Sequence, residues 1–536
     1  MCEVNNRNFQ HLYPEIKRAL QDAKFVSVDL EFSALYPLKD FSPSIIDTPS
    51  ERYRKLKKNL EIIIPLQVGL TAFGFDSDRN SYCGKVYTFF VQPACFQGIH
   101  KNFCFQSSTL NFLKLYNFDF NKFVYDGIPF MNKDQEEELR QMMSSNSLTE
   151  IDLNCPLEYY TILERHSGII KSWYEKAKVG DFLALPEICT NRQVDEEIIY
   201  FVHKEFRRRF ENLWTYVENN EFTVKKVTKK ELSILNNSNS LNEQTINNLL
   251  GFSKVFRLLT SLKKPIVGHN VYQDVLLMIG SFETNLPNSY SSFKKLANEL
   301  FPIVFDTRHI SYSIRDTVPR EKSWNDRGLD TIFDYFKNGI GRTLASNAPA
   351  IEIEEKEDSV GKFHHAGWDS FCAGYIFIRL AHLNIYQKYP ISKQFVSSEH
   401  IAALSHLKNK VNIIRGSVSH INLDGEDPSS TRPPYLVIES LKNKPVCIPQ
   451  VASLLSTFGY TEVRKIPYQK KIALVAVDNY GNARRILRDF KNMSTEYDVQ
   501  RYNALKHSPF ARFFFVGGLT VSSVLILWIT HAVIKR

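Results

Sequence analysis

Four acidic residues and one histidine lie in three short patches that are far apart in the chain. In chain order the patches carry Asp29 and Glu31, then Asp274, then His364 and Asp369. Two divalent cations need several carboxylates that converge on one point, and a neighbouring histidine can activate a water. The three patches together therefore favour hydrolysis of a phosphodiester bond at a site with two metal ions.

The expected settings of these residues suit that chemistry. Residues two apart in a strand point to the same side, so Asp29 and Glu31 can face one pair of metals. Magnesium prefers such oxygen ligands, and Asp274 and Asp369 would arrive from helices. His364 precedes Asp369 on the loop into the helix, and a neutral imidazole is suited to take a proton from water.

Each patch taken alone has a simpler interpretation. An Asp-x-Glu sequence at the end of a strand is common by chance, and Asp274 could be a surface acid behind a helix cap. The adjacent His364 and His365 could be solvated loop histidines. The joint pattern, with its order and its strand and helix settings, favours the catalytic interpretation.

Length, composition and charge restrict the classes of protein to which the chain can belong. The chain has 536 residues, which predicts two to four domains, and its apolar share of 43% is that of a globular protein. The net charge of +9 mildly favours a polyanionic partner or an anionic membrane surface. The eight cysteines are scattered without a C-x-x-C pair, and no secretory signal opens the chain. These features predict a reducing cytosolic environment without structural zinc.

Apolar runs that precede or include the patches predict one α/β sheet flanked by helices. Residues 25–29 form a buried strand whose carboxylates project from its carboxyl end, where open α/β sheets place their ligands. Further strands are predicted at 62–75, 85–92 and 265–267. A helix over 368–389 carries Asp369 in its first turn, where the helix dipole tolerates a carboxylate.

Changes in composition divide the chain into predicted domains. A charge-rich, helical segment interrupts the first domain, and a β-α-β-β-α pattern typical of an RNA-recognition-motif (RRM)-like fold follows it. The predicted bounds are 1–149 and 249–425 for the two parts of the catalytic domain, 150–248 for the inserted helical domain and 434–492 for the small RRM-like α+β domain. The strand expected at 471–477 lacks the aromatics that stack bases, so we interpret the RRM-like domain as a packing or protein-contact module.

The segment 513–534 predicts a single transmembrane helix. It has 22 residues without a formal charge apart from a protonatable His531, and such a helix would be about 33 Å long, against a hydrocarbon core of about 30 Å. The alternative is a buried helix. A tail anchor would leave the catalytic domain in the cytosol, and basic flanks favour the mitochondrial outer membrane over the endoplasmic reticulum.

Candidates for RNA contact lie close after the first acidic patch. Phe32 and Ser33 follow Glu31 directly and could stack on and hydrogen-bond to a terminal nucleotide, although Phe32 could also be a core residue. Further candidates are the basic residues Arg52, Lys55 and Lys58, for which a solvated helical face is the alternative.

The chain resembles the DEDDh exonucleases in three motifs, and more narrowly the poly(A)-specific ribonuclease (PARN) family. The motifs are Asp-x-Glu, Asn-x-x-x-Asp from Asn270 to Asp274, and His-x-Ala-x-x-Asp from His364 to Asp369. The resemblance covers about residues 10–425 and extends to the segments 29–33, 47–58, 118–122, 127–129 and 268–270.

This resemblance implies a ribonuclease H-like fold and Mg²⁺-dependent 3′→5′ hydrolysis of RNA that releases nucleoside 5′-monophosphates, with two ions and with Mn²⁺ as a substitute. It implies that the four acidic residues hold the metals and that His364 is the general base, with His365 as the alternative. Within the family, a C-terminal membrane span resembles the trimmers of PIWI-interacting RNA (piRNA) precursors. That subgroup implies PIWI proteins as carriers of the RNA, a membrane-bound Tudor-domain scaffold and an optional homodimer.

One further departure from the family and two alternative functions remain beside this interpretation. The predicted insert lacks the Arg-x-x-x-His signature of the family, which puts a nucleic-acid role for it in doubt. One alternative is a membrane-anchored deadenylase that acts on poly(A) tails. The other is an inactive RNA-binding scaffold, against which the complete set of carboxylates argues, because like charges this close are unfavourable without metals.

Overall fold

The structure is a computed structural model of the chain. Contacts between its Cα atoms divide it into two compact units. The first unit comprises residues 1–41, 54–412 and 422–426, and the second comprises 42–53, 413–421 and the described residues from 427 onward. The structure describes residues 1–145, 157–190, 195–218, 221–238, 240–324, 328–354, 362–389, 393–430, 432–442, 444–466, 469–508 and 511.

The first unit begins with five strands and five helices. The strands are β1 (Cys2–Val4), β2 (Phe25–Phe32), β3 (Pro65–Asp76), β4 (Ser81–Pro93) and β5 (Ile128–Phe130). The helices are α1 (Phe9–Asp22), α2 (Pro49–Leu60, whose first turns lie in the second unit), α3 (Ser107–Leu115), α4 (Phe120–Asp126) and α5 (Lys133–Ser144).

The region predicted as a helical insert also contains a sheet. Its elements are α6 (Leu157–Tyr174), β6 (Phe182–Leu185), α7 (Pro186–Thr190), α8 (Glu196–Arg209), β7 (Leu213–Glu218), β8 (Glu221–Lys226), α9 (Lys229–Ser238) and α10 (Leu241–Leu250). Strand β8 pairs antiparallel with both β6 and β7. The prediction of a helical insert is therefore corrected to a mixed α+β segment. Its apolar core also takes in residues between 94 and 143, so the packing does not stop at the predicted boundary of 150.

The chain then returns to the main sheet. The elements are α11 (Phe252–Leu262), β9 (Ile266–Gly268), α12 (Tyr272–Met278), a π-helical turn (Ile279–Glu283), α13 (Tyr290–Leu300), β10 (Val304–Asp306), α14 (Thr307–Arg315), α15 (Leu329–Lys337), β11 (Ala350–Ile353), α16 (Ala366–Lys388), α17 (Ser397–Ala403), β12 (Lys410–Asn412) and β13 (His420–Asn422).

The main sheet has eight strands of mixed direction, in the order β1-β4-β3-β2-β9-β10, with β5 and β11 also paired to β4. Strands β2, β3 and β4 form an antiparallel meander, and β9 and β10 continue from β2 in parallel. The predicted α/β class with a mixed sheet flanked by helices is confirmed.

Helix α16 is the element against which the sheet packs. Apolar residues lie on all its faces and nearly all of its side chains are buried, which is typical of a core helix. Its start lies directly on β3, where a Cβ on Gly69 would lie 1.9 Å from the carbonyl oxygen of Ala366. This close approach fixes the first turn of α16, which carries Asp369, against the centre of the sheet.

The second unit contains a four-stranded antiparallel sheet in the order β15-β16-β14-β17. Its elements are β14 (Leu436–Ser440), α18 (Ile448–Leu455), β15 (Thr461–Ile466), β16 (Gln469–Val477), α19 (Tyr480–Asp489), β17 (Tyr497–Arg501) and α20 (Ala504–His507). The β-α-β-β-α-β order includes a final strand beyond the predicted limit of 492, and β17 pairs with β14 along its length.

Two segments distant in sequence belong to this second unit, namely 42–53 and 413–421. Glu462 on β15 accepts hydrogen bonds from the Ser44 hydroxyl and from the amide of Ile45, and the Arg52 guanidinium donates to the carbonyls of Ile414 and Arg415. The segment 42–53 is thus hydrogen-bonded both to the sheet, through Glu462, and to the segment 413–421, through Arg52.

The prediction of a C-terminal membrane span is corrected. A span needs about 20 mainly apolar residues, and among the residues that the structure describes no helix is both long and apolar enough to cross a membrane. Residues 513–534 themselves lie outside the described residues. The correction extends to the tail-anchored location at the mitochondrial outer membrane, to the endoplasmic reticulum alternative and to the lipid bilayer as a partner.

Substitution of Gly69 by alanine should destabilise the first unit. The added methyl group would collide with the backbone of Ala366, so α16 and β3 must separate, which we expect to lower the free energy of unfolding by about 1–3 kcal/mol. Gly74→Ala on the same strand is the matched control, because the nearest atom to its added Cβ is 3.9 Å away. Denaturant unfolding of both variants tests this, and equal midpoints for the two would contradict it.

Candidate active site

Strand β2 places the first two carboxylates. It lies in the sheet between β3 and β9, and its residues from Phe25 to Val28 are buried. The pairing with β3 shifts register between Glu31 and Phe32, directly after the second carboxylate. Such a bulge re-aims the chain and is frequent beside active sites. Asp29 and Glu31 therefore stand on one side of a strand end that the sheet holds firmly.

Helix α12 places Asp274, and a buried carboxylate on the neighbouring strand positions the start of this helix. Asp306, at the end of β10, accepts hydrogen bonds from the amides of Asn270 (2.8 Å) and Asn412 (2.9 Å). The side chain of Asn412 in turn donates to Asn270 Oδ1 at 2.8 Å, and Asn270 has a left-handed φ of 62°. Asp306 thus holds the turn that leads into α12.

The third patch brings a histidine to the carboxylates. The backbone amide of His364 donates to Asp369 Oδ2 at 2.9 Å, and His364 adopts a left-handed φ of 63°. Ligand atoms of Glu31, His364 and Asp369 all lie within 4.8 Å of one another. The imidazole of His364 also contacts two aromatic rings, with centroid distances of 4.7 Å to Phe112 on α3 and 4.0 Å to Tyr116, which directly follows that helix.

The adjacent histidine has other neighbours. His365 Nδ1 lies 3.4 Å from Thr88 Oγ1, and its Nε2 lies 4.0 Å from a carboxylate oxygen of Glu3. Within the described residues, the group that could hold a metal ion contains His364 and not His365. The structure therefore favours His364 for any role at the carboxylates.

All four carboxylates have raised pKa values. Burial is the largest cause for each of them, and it raises the pKa of Asp274 and of Asp369 to about 7. The charges of Asp369 and Asp274 raise the pKa of both Asp29 and Glu31 further above the ordinary range. The four groups are therefore close enough for their negative charges to repel one another.

This cluster fits divalent cations. Asp369 Oδ1 is buried and has no hydrogen-bond partner among the described residues, which leaves a negatively charged oxygen without a counterpart. A cation would supply that counterpart and would offset the mutual repulsion. Asp29, Glu31, Asp274 and Asp369 could hold such ions, and His364 borders the same space.

His364 is suited to take a proton. Partial burial lowers the pKa of its imidazole below the usual 6.5, and the charge of Asp330 partly opposes this. The imidazole is therefore neutral at pH 7 and can act as a base. Asp330, in the first turn of α15, also raises the pKa of Asp369, so its charge acts on both residues.

Asp306 and Asp330 were not foreseen from the sequence. Asp306 follows a strand of only three residues, and Asp330 is a single acid at the start of a helix. Neither position belongs to a motif with a characteristic spacing. Only the pairing of β9 with β10 and the packing of α15 on α16 bring them to the cluster.

Two candidates for RNA contact have structural roles instead. Ser33 is fully buried, and its hydroxyl accepts the amide of Ile64 at 3.1 Å. Arg52 is 4% exposed, and its guanidinium donates to the carbonyl of Ser44 at 2.8 Å and pairs with Asp47 at 3.4 Å. Because both side chains are buried and used within the protein, the structure does not support RNA contact for either.

The other candidates keep some exposure. Phe32 is partly buried at the end of β2, and Lys55 is partly exposed on α2. Lys58 forms an ion pair with Glu61 at 3.0 Å, and both side chains are about half exposed. An exposed pair of this kind breaks easily, so Lys58 is accessible to a phosphate.

Comparisons with known proteins agree with this geometry. Residues 4–377 match the model of the CAF1 family ribonuclease. The chain is 32% identical to the Pre-piRNA 3′-exonuclease trimmer of Bombyx mori over 539 aligned positions, which cover 99% of each chain. It is 27% identical to the Poly(A)-specific ribonuclease PNLDC1 of Mus musculus, with 95% of each chain covered. It is also 27% identical to the Poly(A)-specific ribonuclease PARN of Homo sapiens, with 90% of this chain and 79% of the relative covered.

Removal of one carboxylate should stabilise the metal-free protein at alkaline pH. The folded-state pKa values of the cluster lie above those of the unfolded chain, so the folded state retains protons that the unfolded state releases. The stabilisation that these four carboxyl groups contribute is therefore fully present below about pH 4, and it is lost as the pH rises through about 7. We expect Glu31→Gln in EDTA at pH 8 to melt a few degrees (~2–6 °C) above wild type, with little difference at pH 4.

Asp22→Asn is the control for this experiment, because it removes an exposed carboxylate of α1. Its melting temperature should follow that of wild type at both pH values. Addition of Mg²⁺ should raise the melting temperature of wild type more than that of Glu31→Gln. A Glu31→Gln variant that is less stable than wild type in EDTA at pH 8 would refute strong repulsion within the cluster.

Proposed function

We propose that this chain, which belongs to the CAF1 family of ribonucleases, is a 3′→5′ exoribonuclease that trims the 3′ ends of piRNA precursors. The observation that carries the proposal is the convergence of the four carboxylates with His364. The choice of substrate is supported by the likeness to the Bombyx mori trimmer, which extends over nearly the whole length of both chains.

We assign the four carboxylates Asp29, Glu31, Asp274 and Asp369 to two divalent cations, Mg²⁺ with Mn²⁺ as a substitute. The unpartnered oxygen of Asp369 and the raised pKa values support this assignment. When bound, the cations would act as Lewis acids and stabilise the charge that develops on the scissile phosphate.

The side chain of His364 acts as the general base in this proposal. It takes a proton from the water that attacks the terminal phosphodiester, while the bond between phosphorus and the 3′ oxygen of the preceding nucleotide breaks. The products are a nucleoside 5′-monophosphate and an RNA that is one nucleotide shorter with a free 3′ hydroxyl. Phe112 and Tyr116 pack against the imidazole, and the backbone amide of His364 donates a hydrogen bond to Asp369.

The partners are proposed from the same similarity to the Bombyx mori trimmer. The substrate is a single-stranded RNA 3′ end, carried by a PIWI protein, and a Tudor-domain scaffold and a second copy of the chain are further candidate partners.

A deadenylase that acts on mRNA is the second candidate. The mouse and human relatives, which are both named poly(A)-specific ribonucleases, favour it. An inactive scaffold is disfavoured, because four carboxylates this close are unfavourable unless they bind metal ions.

Substitution of each of the two adjacent histidines should show which one acts as the base. His364→Ala removes the proposed base, and we expect it to lower kcat for a single-stranded RNA by about 10²–10⁴-fold in saturating Mg²⁺. His365→Ala should retain kcat within about tenfold of wild type, because His365 faces Thr88 and Glu3. Steady-state release of nucleoside monophosphates measures both, and a larger loss for His365→Ala would transfer the role to that residue.

Substrate preference should separate the two candidate functions. We expect the purified protein to shorten RNAs with 3′ poly(A) and with mixed-sequence 3′ tails at rates within about threefold of each other, since a trimmer of diverse precursors cannot depend on one base. Asp29→Asn provides the inactive control. A preference for poly(A) of more than about tenfold would favour the deadenylase.

A further inference from the structure

The first unit contains a second cavity apart from the acidic cluster. It has a volume of about 540 Å³, within the usual range for small-molecule sites. The end of α2, the loop at 100–101, the start of α5 and the chain that follows α12 surround it, and none of the five candidate catalytic residues lines it. It is therefore a separate space and not an extension of the catalytic site.

The polar part of the cavity wall favours an anion. Lys57 and Lys101 both line it, together with His100. Glu61 also lines it, and two lysines against this one carboxylate leave the wall positive. Burial lowers the pKa of Lys101 to about 8, and its ammonium has one long hydrogen bond of 3.5 Å to the carbonyl of Ile63. An anion in the cavity would replace the solvation that this ammonium has lost.

A second observation comes from the π-helical turn Ile279–Glu283. Ser281 lines the cavity and is 3% exposed, and its Oγ has no hydrogen-bond partner within the described part of the chain. Buried hydroxyls are rarely left unsatisfied, and π-helical turns are frequent at functional sites. This turn thus combines a rare backbone form with an unsatisfied buried hydroxyl directly behind the wall of the cavity.

The remaining wall is apolar and amide-rich. Leu60, Phe130 and Leu276 form the apolar part of the wall. The carboxamides of Asn285 and Asn288 border the same space. Apolar walls with a few carboxamides and a cationic end match a molecule that joins a planar heterocycle to a phosphate. Lys57 already uses its ammonium on Asn288 Oδ1, so both groups are positioned at this end of the cavity.

We propose that this cavity binds the phosphate and base of a nucleotide, with Lys57 and Lys101 on the phosphate. The nucleotide is either a free nucleoside 5′-monophosphate or one unit of the RNA chain. The first source rests on the proposed function, because that reaction releases nucleoside 5′-monophosphates. Occupation of the cavity packs the ligand against Leu276 and Leu277 of α12, the helix that carries Asp274.

Calorimetric titration of the full-length protein with adenosine 5′-monophosphate in EDTA tests the proposal, because without metal the acidic cluster repels an anion. We expect one equivalent to bind, and Lys57→Ala and Lys101→Ala each to weaken binding about tenfold or more. Lys17→Ala removes an exposed lysine of α1 and should bind as wild type does. Adenosine without phosphate should bind at least about tenfold more weakly.

The use of two lysine variants also controls for misfolding of either one. Lys57 is partly exposed on α2, so its alanine variant should fold even if Lys101→Ala does not, and the melting temperature of each variant is recorded. Absence of binding to wild type, or binding of equal strength by wild type and the folded Lys57→Ala variant, would overturn the proposal.

A competing single-stranded RNA with a blocked 3′ end distinguishes the two sources of the nucleotide. Displacement of the monophosphate by RNA in wild type assigns the cavity to the RNA chain, and no displacement assigns it to the free nucleotide. Asp29→Asn separates this proposal from the proposed function. That variant should lose trimming and retain binding of the monophosphate in EDTA, since Asp29 does not line the cavity.

Discussion

The arrangement of the first unit depends on one electrostatic constraint, the confinement of four carboxylates to one partly buried space. Burial raises the pKa values of all four, and the charges of Asp369 and Asp274 raise those of Asp29 and Glu31 further. Such a cluster opposes folding at neutral pH unless cations bind, so the surrounding structure has to hold it against its own repulsion. The elements that carry these residues are accordingly among the most buried in the unit.

Three supports keep the carboxylates together, and each acts through backbone. Strand β2 is central in the sheet and is paired on both sides. The first turn of α16 touches β3 at Gly69, where no side chain could be accommodated. Asp306 holds the amides of Asn270 and Asn412 and so fixes the turn before Asp274. Since backbone contacts tolerate less adjustment than side chains do, the carboxylates cannot separate to relieve their repulsion.

The parts that could be predicted from the sequence are those that depend on local patterns. Asp29 and Glu31 are predictable because a strand imposes a period of 2 residues, and His364 and Asp369 are predictable because their spacing matches a short motif. Asp306, Ser33 and Arg52 each have partners that are distant in sequence, namely Asn412 for Asp306, Ile64 for Ser33 and Arg415 for Arg52, and no local pattern encodes such contacts. The sheet within the segment predicted as helical and strand β17 were missed for a related reason, since short strands depend on pairing for their stability.

The choice between the adjacent histidines shows how backbone conformation decides chemistry. His364 has a left-handed φ of 63°, a conformation that non-glycine residues adopt at a cost of about 1–3 kcal/mol. The same residue donates its backbone amide to Asp369 and packs against Phe112 and Tyr116, and these contacts offset that cost. The turn directs His364 to Glu31 and Asp369 and leaves His365 beside Thr88. The left-handed turn, the hydrogen bond from the backbone amide to Asp369 and the packing against Phe112 and Tyr116 together place His364, and not its neighbour, as the candidate base.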